Sequence, residues 1–312
     1  MALLVVMMFL LLMAATAVSV NHSWYNMFTR TQVQLSRIQA KWHLLGTQAY
    51  AMKLLEDSLR NQTRVAANQK WEQPALNFST EDAQIRINFH DAQACFNLNT
   101  LSPPNTPAKA GDAHSQPESG EVITAQQNVS WQVFRALLIN LGFSAEETKR
   151  LSDSIERRLS PGMTAFSDIS ELRPLPGMAR ERYLQILPYV CVLPDKKTAI
   201  NINSLEDTQL ALLRAIFLNK PSPGAVKKLL ESRPNEGWDG VQDAALLKTL
   251  AMLRLELPAQ SEQIMTTHSQ YFKGRFSTVG KLRYYTLLGL YFYKDKKISV
   301  IYNYMNSSGG EL

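Results

Sequence analysis

The sequence predicts an α+β protein, in which a long N-terminal helix packs on a small antiparallel sheet and a large all-α domain is inserted. Three observations carry this. Residues 1–29 hold no charged side chain, Arg30 being the first, and an amphipathic stretch follows without a break. Strand-like alternation occurs only at 84–99 and after about residue 269. Between them, from about 122 to 258, the apolar spacing is helical.

Composition bounds the reading. Charged residues make up 19% of the 312 and hydrophobic residues 45%. The charged share falls below the usual quarter because of the charge-free start. Such a chain is not disordered, collagenous, a disulfide-dense miniprotein or a polytopic membrane protein. The net charge of +6 is local. Residues 271–300 carry seven basic side chains against Asp295 alone, so the rest of the chain sums to zero. A pI near 9.2 therefore gives no global argument for nucleic-acid binding.

Residues 1–20 (MALLVVMMFLLLMAATAVSV) are long enough to cross a hydrocarbon core of about 30 Å. Trp24 and Tyr25 follow where interfacial aromatics sit. A cleaved secretory signal is the alternative, with Ala15-Thr16-Ala17 as its cleavage site, but it calls for a basic leader before the apolar run. Beyond this segment Ile38, Trp42, Leu45, Ala49, Met52 and Leu59, with Leu55 between, recur at helical steps. They form one face of a continuing helix, and we expect that face to pack on the chain's own sheet.

In 84–99, Ile85, Ile87 and Phe89 alternate with Arg86, Asn88 and His90. The proline-rich, polar stretch 102–121 reads as a flexible loop. In the helical block, Trp131, Phe134, Leu137, Leu138 and Leu141 share a face that Gly142 ends. Ser144 with Glu147 fits a capping box, and Pro161-Gly162 stops the helix that it opens. FSDISELRPLPGM (166–178) reads as a short helix and a Pro-Gly turn, with further helices through Tyr183 to Leu187 and after Ser204. At the C terminus the Lys294–Lys297 turn joins two β-rich runs, and Ile298, Val300, Tyr302 and Tyr304 are expected on one face. Asn97-Leu98-Asn99-Thr100-Leu101 and Asn201-Ile202-Asn203-Ser204-Leu205 are near copies, each a short strand whose last polar residue caps a helix.

The chain thus divides into a transmembrane helix (1–23), its continuation (24–65) and a first part of the α+β domain (66–101). A flexible loop (102–121), an inserted helical domain (122–258, two subdomains with a break near 200) and closing strands (259–312) complete it.

Catalytic signatures are missing from the sequence: it has no H-E-x-x-H, G-x-S-x-G, P-loop or C-x-x-C. Glu146-Glu147 and Glu206-Asp207 read as first-turn carboxylates favoured by the helix dipole. Leu175-Pro176-Gly177-Met178-Ala179 resembles a helix-hairpin-helix turn, but Ala179 stands where the DNA-binding form carries its second glycine. It reads as a structural turn. Cys95 and Cys191 are the two cysteines. In an oxidising compartment the pair reads as one disulfide, worth up to about 4–5 kcal/mol by loop closure. Two buried thiols are the alternative.

An apolar N-terminal helix followed by DAQACFNLNTL, FSDISELRPLPGM, PYVCVLP and ININSL resembles the minor pseudopilin K family of the bacterial type II secretion system, over nearly the whole chain. The resemblance implies a pseudopilin fold and a structural rather than an enzymatic role, at the tip of a periplasmic pseudopilus needed for protein export. It implies a single-pass anchor in the inner membrane with the bulk of the chain periplasmic. Partners would be I- and J-type minor pseudopilins, membrane lipid and a prepilin peptidase that removes a leader and methylates Met1; nucleic acid would not be one. Major pseudopilins carry a Glu at mature position 5, where this chain has Val5. The resemblance links that change to a subunit with none stacked above it. Family members also carry an acidic stretch suited to calcium, but here only residues 159–165 fill that place. Asp168 and Glu171 remain as weak calcium candidates, short of the roughly 6–8 oxygens that calcium takes. The competing reading is a membrane-tethered periplasmic binding module.

Overall fold

The computed structural model describes residues 2–67, 69, 71, 76–79, 84–103, 118–160, 162–258, 263–279 and 283–309. Met1, Pro161 and most of the loop expected at 102–121 lie outside them.

One helix, α1 (Ala2–Leu59), runs through the membrane-like segment and its continuation. At about 1.5 Å per residue it is roughly 87 Å long. Its last third lies on a five-stranded antiparallel sheet ordered β1-β2-β7-β8-β9. The strands are β1 (Leu76–Ser79), β2 (Gln84–Asp91), β7 (Tyr271–Val279), β8 (Arg283–Lys294) and β9 (Lys297–Gly309). Chain order explains the topology: β1 and β2 precede the helical block, and β7–β9 follow it.

The helix-facing side of the sheet is the one that alternation predicts for β2. Ile85, Ile87 and Phe89 pack with Phe272, Phe276, Tyr285, Leu287 and Tyr291 under Leu44, Ala51 and Leu55. The Tyr291 ring lies over the cross-strand pair Gly274 and Gly289, where any Cβ would come within 2.6 Å of it. Glycine at both sites therefore makes the slot for that ring.

The helix face differs from the expected stripe. Ala40, Leu44, Thr47, Gln48, Ala51, Leu55 and Leu59 are buried, whereas Ile38, Trp42 and Ala49 are exposed. Leu45 and Met52 lie at the border. Apolar spacing finds a stripe without saying which of two adjacent stripes meets the core. Here small Ala40 and Ala51 let the helix sit close, and Gln48 accepts from Asn303 of β9 at 3.4 Å.

β8 and β9 meet in a two-residue turn, with Asp295 and Lys296 at φ 52° and 62°. Two positive φ values in succession match the twist of a hairpin. A bulge then breaks the pairing: Tyr291 faces Val300, but Leu290 faces Tyr302. The extra residue, Ile301, corrects the expected alternation. Ile298 and Val300 lie on the α1 side, while Tyr302 and Tyr304 lie on the opposite side, because one inserted residue moves every later side chain across the sheet.

The inserted block comprises α2 (Glu118–Asn140), α3 (Ala145–Arg158), α4 (Arg180–Ile186), α5 (Leu210–Ile216), α6 (Pro223–Glu231) and α7 (Ala244–Met252). It has its own core, in which Phe134, Leu137 and Leu138 of α2 are fully buried. Gly142, at φ 78°, ends α2. The Ser144–Glu147 capping box opens α3, each side chain accepting the other residue's amide. Gly162 is at φ 90° and Gly177 at φ 92°, as chain reversals after α3 and before α4 require.

The near-copied segments take the same form. β3 (Phe96–Asn97) pairs parallel with β4 (Val190–Cys191), and β5 (Ile200–Asn201) pairs parallel with β6 (Met265–Thr266). Asn97 and Asn201 end their strands, and each accepts the amide two residues on to cap a 3₁₀ turn.

Candidate functional site

Among the described residues no group of three or more His, Cys, Asp or Glu could hold a metal ion. Two surface cavities, of about 440 and 430 Å³, lie on the helical block. Arg173, Met178, Arg180, Tyr183 and Leu184 wall the first, with the Arg173 guanidinium 4.8 Å above the Tyr183 ring.

The calcium candidates are occupied by the chain itself. Asp168 accepts the Ser170 amide at 2.8 Å. Glu171 accepts the Ser167 and Asp168 amides with one oxygen and Arg158 with the other. Ser170 holds the Asp168 carboxyl below its usual range. Burial pushes Glu171 up, but the two amides and Arg158 together outweigh it. This is a capping box closed by an ion pair, and it does not fit a calcium cage.

Cys95 and Cys191 are joined, with S–S 2.02 Å across 96 residues of sequence. The bond lies in a small cluster of Ala92, Leu193, Tyr271 and Leu290 that seats the helical block on the far side of the sheet. Beside it is a junction that patterning did not reveal. Asp91, buried at the end of β2, accepts from the Gln93 amide (2.7 Å), Asn201 Nδ2 (2.7 Å) and Ser269 Oγ (2.6 Å). Burial pushes its carboxyl above the usual range despite these bonds. The only sequence signal was an acid at a position of the apolar-facing alternation.

The surface features concentrate on α1. Its N-terminal part is the one helix among the described residues long and apolar enough to cross a membrane, with mean hydropathy 2.7 and no buried side chain in that window. Val5 is 51% exposed within it. Further along, Leu35, Ile38 and Trp42 form an exposed apolar flank. At 100° per residue this stripe lies roughly opposite the buried face of Leu44, Ala51 and Leu55, so it points away from the sheet. On one border of the buried face Met52 packs with Ile298 and Met305 of β9, and the Ile298 backbone hydrogen-bonds Glu56. On the other flank Tyr50 meets Phe78 of β1, ring centroids 5.7 Å apart.

The comparisons with known proteins agree over both parts of the chain. Two family models, both described as type II secretion system protein K, match residues 94–195 and 200–267. The type II secretion system protein K of Klebsiella pneumoniae is 33% identical, over 91% of this chain and 89% of that protein. Its counterpart in Pectobacterium carotovorum is 30% identical, over 87% and 85%. Among solved structures, the GspK-GspI-GspJ complex of the enterotoxigenic Escherichia coli type 2 secretion system matches at 26% identity with a TM-score of 0.70. That match covers 89% of this chain and 100% of the matched chain. Sequence, fold and length together place this chain in the type II secretion system protein K family.

Proposed function

We propose that this chain is a structural minor pseudopilin at the tip of a type II secretion pseudopilus, needed for pseudopilus assembly and protein export. It sits in the inner membrane through residues 1–23, with the rest in the periplasm, and it assembles with I- and J-type pseudopilins. The observation that carries this reading is the continuity of α1. One unbroken helix joins the apolar segment to the sheet, so the two move as one body. A tethered binding module needs no such rigidity, whereas a subunit that stacks through its helix does.

The remaining features support the same role. Apolar side chains of the first half of α1 are at home in hydrocarbon, and a neighbouring helix can pack there by close contact. Val5 offers no carboxylate to pair with the N-terminal amine of an added subunit, and an unpaired charge in that environment is costly. The bulk of the helical block favours a terminal position.

Replacing residues 2–23 with an unrelated transmembrane helix of equal length tests this. We expect export in a strain lacking the native chain to fail although the protein is made and inserted. Restored export would point to a tethered module instead.

A further inference from the structure

Three consecutive residues beyond the end of α1 each bond a different part of the chain. Thr63 Oγ1 donates to Asp239 Oδ1 at 2.8 Å, and the Arg64 guanidinium donates to Glu236 Oε2 at 2.6 Å. The Val65 carbonyl accepts from Asn201 Nδ2 at 2.9 Å, and its amide donates to the Thr267 carbonyl at 2.8 Å. Further on, Trp71 lies edge-on against Phe272 of β7, ring centroids 5.3 Å apart. The exit of α1 is thus fastened to the sheet on one side. On the other it is fastened to the second half of the helical block, from Ile200 onward.

These contacts close a ring. Asn201 is fully buried and caps the turn that carries Asn203. Asn203 in turn holds the Trp238 backbone. Trp238 lies between Glu236 and Asp239, the two residues that take Arg64 and Thr63. The other near copy is wired differently. Asn97 donates to the Asp195 carbonyl at 2.7 Å, and Asn99 donates to the carbonyls of Phe166 and Leu193. Two turns of the same local form therefore lead to different places, and the second leads to α1.

We infer that residues 63–65 are an orientation strap. They set the direction of α1 relative to the second half of the helical block, so that helix and block enter the pseudopilus as one oriented unit. This rests on the assembly role proposed above and deepens it. Attachment at one point leaves a body free to swivel, whereas attachment at three separate points fixes its orientation. Asp239, Glu236 and Asn201 supply the three on the block. Burial divides the labour among them. Val65 and Asn201 are buried and hold the joint together, while the Arg64 and Glu236 side chains are 27% and 81% exposed. Exposed pairs contribute little to global stability. The outer bonds therefore act on direction more than on folding, and they can be altered without removing the buried joint.

The test is double electron–electron resonance on the full-length chain in detergent, with spin labels on Ile38→Cys of α1 and Met252→Cys of α7. Both positions are exposed, and the native cysteines are joined to each other, so labels go to the new sites alone. We expect one narrow distance distribution for the otherwise native chain. Arg64→Glu sets like charge against Glu236 and Asp239 and should at least double the width. Exchanging the pair, Arg64→Glu with Glu236→Arg, should restore it. Labels on Ile139→Cys and Met252→Cys, both within the helical block, should stay narrow throughout. Export by the unlabelled chains should fall at least tenfold with Arg64→Glu and return with the exchanged pair. An unchanged width with Arg64→Glu, or a width that the exchanged pair does not restore, overturns the proposal. Equal broadening between the two block labels overturns it as well, because the block itself would then have loosened. So does export that stays at the wild-type level despite broadening, or stays low once the width is restored. In each of these cases the assembly role stands, since the anchor replacement above reads it separately.

Discussion

Asn203 holds the backbone of Trp238 at both ends: its Oδ1 accepts the Trp238 N–H at 2.9 Å and its Nδ2 donates to the Trp238 carbonyl at 2.9 Å. Asn99 holds Phe166 in the same way, at 2.8 and 3.0 Å. Each is the second asparagine of an N-x-N turn, and the first caps it. The repeat visible in the sequence is thus a repeat of hydrogen-bond geometry, with an aromatic residue anchored in each half of the helical block.

Asn203→Ala leaves the Trp238 amide and carbonyl buried without partners, which should cost about 2–4 kcal/mol. Gly237→Ala should cost at least as much. Its φ is +79°, and the added Cβ would come within 2.6 Å of the Asn203 side chain. Thermal unfolding followed by circular dichroism checks both. An unchanged midpoint for Asn203→Ala would show that the clasp contributes nothing.

Much of this fold was legible because its signals are local. The Ser144–Glu147 box, the glycine stops and the alternation in β2 each need only a few neighbouring residues. The bulge at Ile301 was not legible, since no residue type marks it and its effect is to move Tyr302 and Tyr304 across the sheet. The choice between adjacent stripes of α1 depends on which side the sheet approaches, a tertiary fact. The exposure of Trp42 was hidden for that reason.

Asp91 makes stability depend on pH in an unusual direction. Burial raises its native carboxyl above the unfolded value of about 3.9. Between those two values the native state binds more protons than the unfolded chain, so stability falls as pH rises. Asp91→Asn cannot titrate. The unfolding free energy of the wild type relative to Asp91→Asn should therefore decrease from pH 4 upward. A relative gain for the wild type over that range would contradict the raised value.

The Cys95–Cys191 bond spans 96 residues and seats the helical block on the sheet. Loop closure of that size is worth up to about 4–5 kcal/mol in the chain-entropy model. Replacing both cysteines with serine should lower the denaturation midpoint and make it insensitive to dithiothreitol, whereas the wild type should fall on reduction. Equal midpoints for the oxidised and reduced wild type would mean that the bond adds no stability.

Two neighbouring positions on α1 separate folding from assembly. Leu44 is fully buried against the sheet, and Trp42 is 68% exposed on the side of α1 away from the sheet. Leu44→Ala should destabilise the chain by about 2–5 kcal/mol. Trp42→Glu should leave the unfolding midpoint within a degree or two, since an exposed side chain contributes little to the fold. The decisive measurement is recovery of I- and J-type pseudopilins with full-length Trp42→Glu, purified from membranes beside the wild type. A partner helix lying on that outer side predicts that recovery drops at least tenfold with the fold intact. Recovery equal to wild type from an equally stable protein would contradict assembly through this face of α1.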